Sequence, residues 1–134
     1  MKDLRGKVGG MAEEHPNVAL LARFDPGNVA ESIDVFSEEV VWHYFNPLLP
    51  GIQGDYVGQG GVRAFFDEVA KLTGGTFRVS PVSVTAVGDE LVVAQTRNTM
   101  ILDSTQIETD VVVVWRIVEG RITEVWDIPS VHSR

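Results

Sequence analysis

Asp127 is the residue most in need of a chemical explanation. It lies in the run Gly120-Arg-Ile-Thr-Glu-Val-Trp-Asp-Ile-Pro129, the returning arm of a hairpin whose first arm carries the unbroken β-branched stretch Val111 to Val114. A carboxylate set deep on an apolar ribbon is costly unless it is paired, hydrogen-bonded or protonated. In its ionised form it is a base for acidic C–H bonds flanked by carbonyls. His43, in Val40-Val-Trp-His-Tyr-Phe45, has an ordinary pKa of about 6.5 and could return a proton or hold an enolate oxygen. Arg97 could orient Asp127 or polarise a carbonyl. The plainer alternatives are a structural ion pair between Arg97 and Asp127, and a hydrogen-bonded core histidine at position 43. The absence of cysteine excludes thiolate catalysis, disulfides and cysteine-ligated zinc, and with three histidines in the chain no metal site is expected.

The elements that must position these groups follow from periodicity and punctuation. Met11 to Phe24 reads as a short helix, with Pro16 acceptable only in its first turn. Asn28 followed by Glu31 matches a capping box, so a second helix is expected to show Val29, Ile33 and Phe36 on one face and to stop at Ser37-Glu-Glu39. Val40 to Phe45 reads as a strand, with Val41, His43 and Phe45 on one face and Trp42 and Tyr44 on the other. Asn46 to Gly61, rich in glycine and proline, is expected to be a loop that forms a lid and carries Tyr56. Val62, Phe65, Phe66, Val69 and Ala70 recur at helical spacing, and Gly74-Gly75 ends that helix. Three strands are then expected, Thr76–Val87, Glu90–Leu102 and the first arm of the hairpin, before the closing one. Helices first and an antiparallel meander second is the order of an α+β domain with helices on one face of a curved sheet.

At 134 residues the chain suits one domain with a core that needs no staples. Residues 1–14 are read as a flexible arm and 15–134 as a single domain. A formal charge of −8 and a pI near 4.7 argue against nucleic acid and anionic membranes, whose phosphates require clustered lysine and arginine. No apolar run approaches the roughly 20 residues of a membrane span, and with no signal peptide at the N-terminus the expected location is the cytoplasm. The glycines Gly58 to Gly61 lack the preceding strand and following Lys-Ser/Thr of a nucleotide cradle. Val111, Val113, Trp115 and Ile117 share one face of their strand, while Val112 and Val114 share the other with Asp110 and Arg116. A second apolar face needs a cover, and a homodimer through the outer sheet face is the expected one.

The Val-Val-Trp-His strand, the Gly-Gly-Val-Arg-Ala-Phe-Phe helix and the closing Gly-Arg-Ile-Thr-Glu-Val-Trp-Asp together resemble the SnoaL-like polyketide cyclase group of the nuclear-transport-factor-2-like superfamily. The resemblance spans nearly all of Val18 to Pro129. It implies a cone-shaped α+β barrel, three helices packed in a strongly curved, mainly antiparallel sheet around an apolar pocket. It places Asp127 and Val125 inward, with Trp126 and Ile128 on the dimer face. Limonene epoxide hydrolases, in the same superfamily, imply that Asp127 matches their final-strand aspartate and Arg97 their bridging arginine. Thr99 stands where their second carboxylate belongs, and His43 and Phe45 where a tyrosine and an asparagine hold water. Comparison with ketosteroid isomerases implies their general-base aspartate near His43 or Tyr44 and their oxyanion-hole aspartate where Val113 stands, a donor that valine cannot supply. Polyketide cyclases, which need mainly one acid/base aspartate in an apolar cavity, fit best.

The expected function is therefore that of a cofactor-free lyase, isomerase or cyclase acting on a small apolar carbonyl compound. Asp127, His43 and Arg97 are the expected catalytic residues, and Tyr56, Phe45, Thr99, Val113, Trp115 and Val125 the expected substrate contacts. A non-catalytic module binding an apolar ligand is the first alternative and an epoxide hydrolase-like hydrolase the second. The two leading readings differ in whether His43, Arg97 and Asp127 converge on one open cavity.

Overall fold

The computed structural model describes residues 15–131. Helix α1 (Pro16–Ala22) opens them, with Pro16 in its first turn and His15 Nδ1 accepting the Asn17 N–H at 3.1 Å as an N-cap. Met11 and the expected arm lie outside the described residues, as does His132. Helix α2 (Val29–Ser32) is a single turn that runs into a 3-10 turn at Ile33–Val35, and strand β1 (Phe36–Tyr44) begins at once. The expected helix through Phe36 is thus corrected, and Ser37, Glu38 and Glu39 are strand rather than helix terminator. Asn28 makes no side-chain cap bond. Val35, Phe36 and Val40 are at most 1% exposed, and Phe36 pairs with Ile122 of the last strand, so burial and ladder formation override local helix preference.

The expected loop of residues 46–61 is also shorter than its composition suggests. Strand β2 (Gly54–Val57) pairs antiparallel with β1, Tyr56 opposite Trp42, and helix α3 (Gly58–Thr73) starts directly after it. A Cβ at Gly61 would come within 3.0 Å of the Tyr56 carbonyl carbon. Glycine there lets the helix start tuck against β2, which is why a run that resembles loop sequence is a helical turn. Val62, Phe65, Val69 and Thr73 form the buried stripe of α3, and Gly74 ends it in the left-handed conformation at φ 62°.

Strands β3 (Arg78–Val87), β4 (Leu91–Leu102), β5 (Thr105–Val118) and β6 (Arg121–Pro129) complete a mixed six-stranded sheet in the order β2-β1-β6-β5-β4-β3. Two of the three tight turns of the meander have positive φ at two successive residues, Asp103 and Ser104 before β5 and Glu119 and Gly120 before β6, the geometry that matches strand twist in two-residue hairpins. Neighbours pair antiparallel except β1 and β6, which are parallel. The fold is α+β, as expected. No helix of the described residues is long and apolar enough to cross a membrane.

The parallel β1–β6 pairing determines which side chains share the concave face. Trp42 stands opposite Val125 and Val125 opposite Trp115, forming one row; Tyr44, Asp127, Val113 and Ala94 form the next. Helix α3 packs against β1 and β2 on this side. Phe24, Phe36, Trp42, Phe65, Phe66 and Trp115 interlock between the layers, with ring centroids such as Phe24–Phe36 5.1 Å and Trp42–Phe66 5.2 Å apart.

Candidate functional site

Beyond this aromatic cluster the concave face opens into a cleft of about 1310 Å³. Its floor comes from β4, β5 and β6 (Ala94, Thr96, Val113, Trp115, Asp127), its walls from β1 and α3 (Trp42, Tyr44, Phe65, Phe66), and Leu49 and Ile52 close one end. Among the described residues, Asp127 is the only carboxylate that lines it, and no lysine or arginine does. Asp127 touches the cleft with part of its surface while protein surrounds it elsewhere. Burial pushes its carboxyl up from 3.8 to about 7, opposed by the indole N–H of Trp42. That N–H is near enough to favour the anion slightly, yet it completes no hydrogen bond. No ion pair reaches Asp127 among the described residues.

Tyr44 stands beside Asp127 in the register. Burial drives its phenol up to about 12, helped by the charge of Asp127 and opposed by the hydrogen bond from Asn46. Asn46 Nδ2 donates to the phenol oxygen at 3.0 Å, which leaves the phenol proton free to be donated. The cleft therefore pairs a carboxyl poised near neutrality with a phenol that stays protonated. Such a pair can move a proton on carbon and hydrogen-bond an oxygen next to it.

The expected convergence of His43, Arg97 and Asp127 does not occur. His43 lies on the opposite, convex face, its Nδ1 2.7 Å from Asp55 and its Nε2 2.7 Å from Glu124, stacked between Phe45 and Trp126. Arg97 is also outside, its Nε donating to Asp110 at 3.1 Å. Both corrections have one origin. Paired residues in adjacent strands point to the same face, so the partners of Asp127 and Val125 on β1 are Tyr44 and Trp42, and alternation sends His43 and Phe45 outward. On β4, Arg97 and Thr99 stand opposite Asp110 and Glu108, residues of the outer set of β5.

Of the expected substrate contacts, Val113 and Trp115 line the cleft. Val125 is completely buried beneath its floor, and Phe45 is 46% exposed on the outer face. Tyr56 donates its hydroxyl to the Ile52 carbonyl at 2.6 Å and packs on Phe65 away from the cleft. Trp42, Tyr44, Thr96 and Asn98 were missed. The signal for the first two was their shared face in Trp42-His-Tyr44, which becomes readable once β1 is known to pair with β6.

On the convex face, desolvation lowers the pKa of His43, but hydrogen bonds and charges from Glu124 and Asp55 outweigh it and the net shift is upward. The imidazolium is thus favoured in the fold, and its contribution is complete below about 6.5 and lost as pH rises through the raised value. With Asp55 63% exposed and Glu124 34%, screening limits it to about 1 kcal/mol or less. His43→Gln is expected to lower stability by that amount at acidic pH and by less in alkali, with ligand binding unchanged. Urea unfolding at both pH values, with a binding assay, checks it.

The SnoaL-like domain family profile matches residues 18–125. No protein with a curated description matches the chain. Among solved structures, the chain is similar to Bal32a from a soil-derived mobile gene cassette, at 23% identity over 85% of this chain and 86% of that one, with a TM-score of 0.71. It is similar to TerC, co-crystallised with polyporic acid, at 23% identity over 86% and 92% of the two chains and a TM-score of 0.73. A nuclear-transport-factor-2-like protein of unknown function from Burkholderia pseudomallei matches at 19% identity over 85% and 90%, also with a TM-score of 0.73.

Proposed function

Since the chain belongs to the SnoaL-like domain family, we propose that its cleft takes a small apolar carbonyl compound and that Asp127 is the acid/base of a cofactor-free lyase, isomerase or cyclase reaction. The observation that carries this reading is a single unpaired carboxyl, raised to about 7, in a cleft with no other acidic side chain among the described residues. The Asp127 carboxylate takes a proton from the carbon next to the carbonyl, the C–H electron pair moves into the new C=C bond, and the carbonyl oxygen becomes an enolate. Protonation at another atom, or attack of the enolate carbon on a second carbonyl, completes isomerisation or cyclisation, and the proton leaves Asp127 again. Tyr44, neutral at working pH, donates to an oxygen of the substrate.

The direct test is titration of the Asp127 carboxyl by carbon NMR in protein with labelled aspartate, together with native mass spectrometry of any ligand that co-purifies. A pKa close to 7 and an apolar carbonyl ligand are expected; a carboxyl titrating in the ordinary range near 4 would remove the acid/base role. Binding without turnover is the second reading, favoured by the outward placement of His43 and Arg97, which leaves the cleft with few titratable groups. Asp127→Asn separates the two: catalysis requires loss of turnover with the ligand still bound. The epoxide hydrolase-like alternative needs two linked carboxylates and finds one.

We propose that the outer face of the sheet pairs with that of a second copy of the chain. Phe45, Val112 and Ile128, between 42% and 46% exposed, share this face with Trp126, and Arg116 lies over that indole at 5.5 Å. Light scattering at micromolar concentration is expected to give twice the 14.7 kDa chain mass; Ile128→Lys is expected to give the monomer. A monomeric wild type would refute the assignment.

A further inference from the structure

From Val92 to Met100 on β4 and from Ile107 to Ile117 on β5, the inward residues are apolar except at one place. Beyond the row of Asp127, Val113 and Ala94, toward the β4–β5 turn, the next row holds Val111 and Thr96 and the one after it Thr109 and Asn98. All three polar residues line the cleft. Thr96 is 8% exposed, and its hydroxyl donates to the Asn98 carboxamide oxygen at 3.0 Å. That bond orients the amide and leaves its Nδ2 hydrogens unclaimed among the described residues. The buried side-chain polar atoms that lack a partner there are the indole nitrogens of Trp42 and Trp115, so the Asn98 amide is open to the cleft and not sealed in protein. The cleft's other carboxamide is committed at both ends, since Asn46 donates to Tyr44 and accepts the Leu48 N–H. Apolar side chains would close this stretch of floor without the cost of desolvating polar groups. Asn98 thus stands as a directed donor in a largely apolar cleft, well away from Asp127.

We propose that the Asn98 amide, oriented by Thr96 and flanked by the Thr109 hydroxyl, binds an acceptor oxygen at the far end of the ligand, so that the cleft selects elongated ketones bearing a second oxygen. The proposal rests on the reading of the cleft as a carbonyl-compound site and gives that site a second point of recognition. Its dimensions follow from the sheet. Asp127 lies two strands from β4, about 10 Å, and Asn98 lies four residues beyond Ala94, about 13 Å along the strand. The floor is concave, so the side-chain tips come closer than that, and the ligand measures about 10–15 Å from its acidic carbon to its distal acceptor. A cleft of about 1310 Å³ has room for it. One oxygen beside the acidic carbon leaves a ligand free to slide along apolar walls. A second, held by Asn98, fixes which carbon stands at Asp127.

The probes are 4,4′-diacetylbiphenyl and 4-acetyl-4′-isopropenylbiphenyl, which share a shape and differ in carrying C=O or C=CH₂ at the far end. Once its twofold symmetry advantage is removed, the diketone is expected to bind about fivefold or more tightly, the order expected for one added hydrogen bond. It is also expected to shift the Asn98 side-chain amide resonances saturably in nitrogen-15 spectra, assigned through backbone correlations. Asn98→Leu is expected to weaken the diketone about fivefold and leave the monoketone unchanged. Thr96→Val is expected to lower the preference and Thr96→Ser to keep it, which separates orientation of the amide from support of the sheet. If Asn98→Leu does not fold, the wild-type titrations and the Thr96 pair decide alone. Equal affinity for the two probes, amide resonances that ignore the diketone, a preference that survives Asn98→Leu, or no saturable binding of either probe would overturn the proposal. A carboxyl near 7 with no preference between the probes defeats this proposal alone. A carboxyl near 4 with the preference intact defeats the acid/base reading alone.

Discussion

Asp127→Asn is expected to make the protein more stable at pH 8, by about 2–4 kcal/mol, while sharply slowing turnover. The sign follows from burial, which raises the carboxyl from 3.8 to about 7 in the fold. Between those values the folded state holds a proton that the unfolded chain has released. The Asp127 contribution to stability is therefore complete below about pH 4, is lost as pH climbs toward 7, and is level above that. At about 1.36 kcal/mol for each pKa unit, the full penalty is about 4 kcal/mol, and contact with water through the cleft trims it. Asparagine is neutral throughout, so the variant lacks the slope and matches wild type only in acid. His43 contributes a loss in the same direction but is present in both proteins and cancels. Urea unfolding of both at pH 4 and pH 8 reads the difference; superimposable pH profiles would show that Asp127 is not held in a desolvated state. A structural ion pair would give the opposite result, a variant less stable at pH 8. Removal of an acid/base group should lower the rate about 10²–10⁴-fold.

Phe65→Ala is expected to cost about 3–5 kcal/mol, the range for truncating a buried aromatic. Phe65 is 2% exposed, and its ring centroid lies 4.9 Å from that of Tyr44, 5.0 Å from Tyr56, 5.0 Å from Phe66 and 5.5 Å from Trp42. It is the point at which α3 presses on β1 and β2, so little around it can collapse into the space. The truncation also releases two cleft residues, Tyr44 and Trp42, from their shared support. Denaturant unfolding should show the loss, and the near-ultraviolet circular dichroism of the aromatic cluster should fall even at full folding. A cost below about 1 kcal/mol would mean that the stripe of α3 is not what holds the cleft wall.

How much of this was legible in the sequence depended on whether a feature is local. The α3 stripe at Val62, Phe65 and Val69, its end at Gly74, and the turns at Gly88 and Glu119-Gly120 are written in spacing and turn chemistry, and the structure agrees with them. The faces of β5 were legible too, because Val111, Val113, Trp115 and Ile117 contrast with Asp110 and Arg116. Resemblance pointed to the family and placed Asp127 inward, where it lines the cleft. What remained hidden was relational. Val41-Trp-His-Tyr-Phe45 is apolar or aromatic on both sides, so period-two alternation separates two sets without saying which is inside. That choice depends on the pairing of β1 with β6, and the orientation of Arg97 depends on standing opposite Asp110. A polar residue near a site in motif alignments can still sit on the wrong side of one strand.

The adjacency of β1 and β6 also has a meaning in time. Tyr44 and Asp127, like Trp42 and Val125, are neighbours in space but about 80 residues apart along the chain. Local structure such as α3 and the β4–β5 hairpin can form early, whereas contacts closing so long a loop are slow to assemble. The carboxyl is consequently expected to acquire its dry surroundings late in folding, when β1 docks on the β6 arm of the local β5–β6 hairpin. Until then Asp127 is expected to titrate as an ordinary aspartate, so a stopped-flow refolding experiment that follows its protonation should report on completion of the sheet.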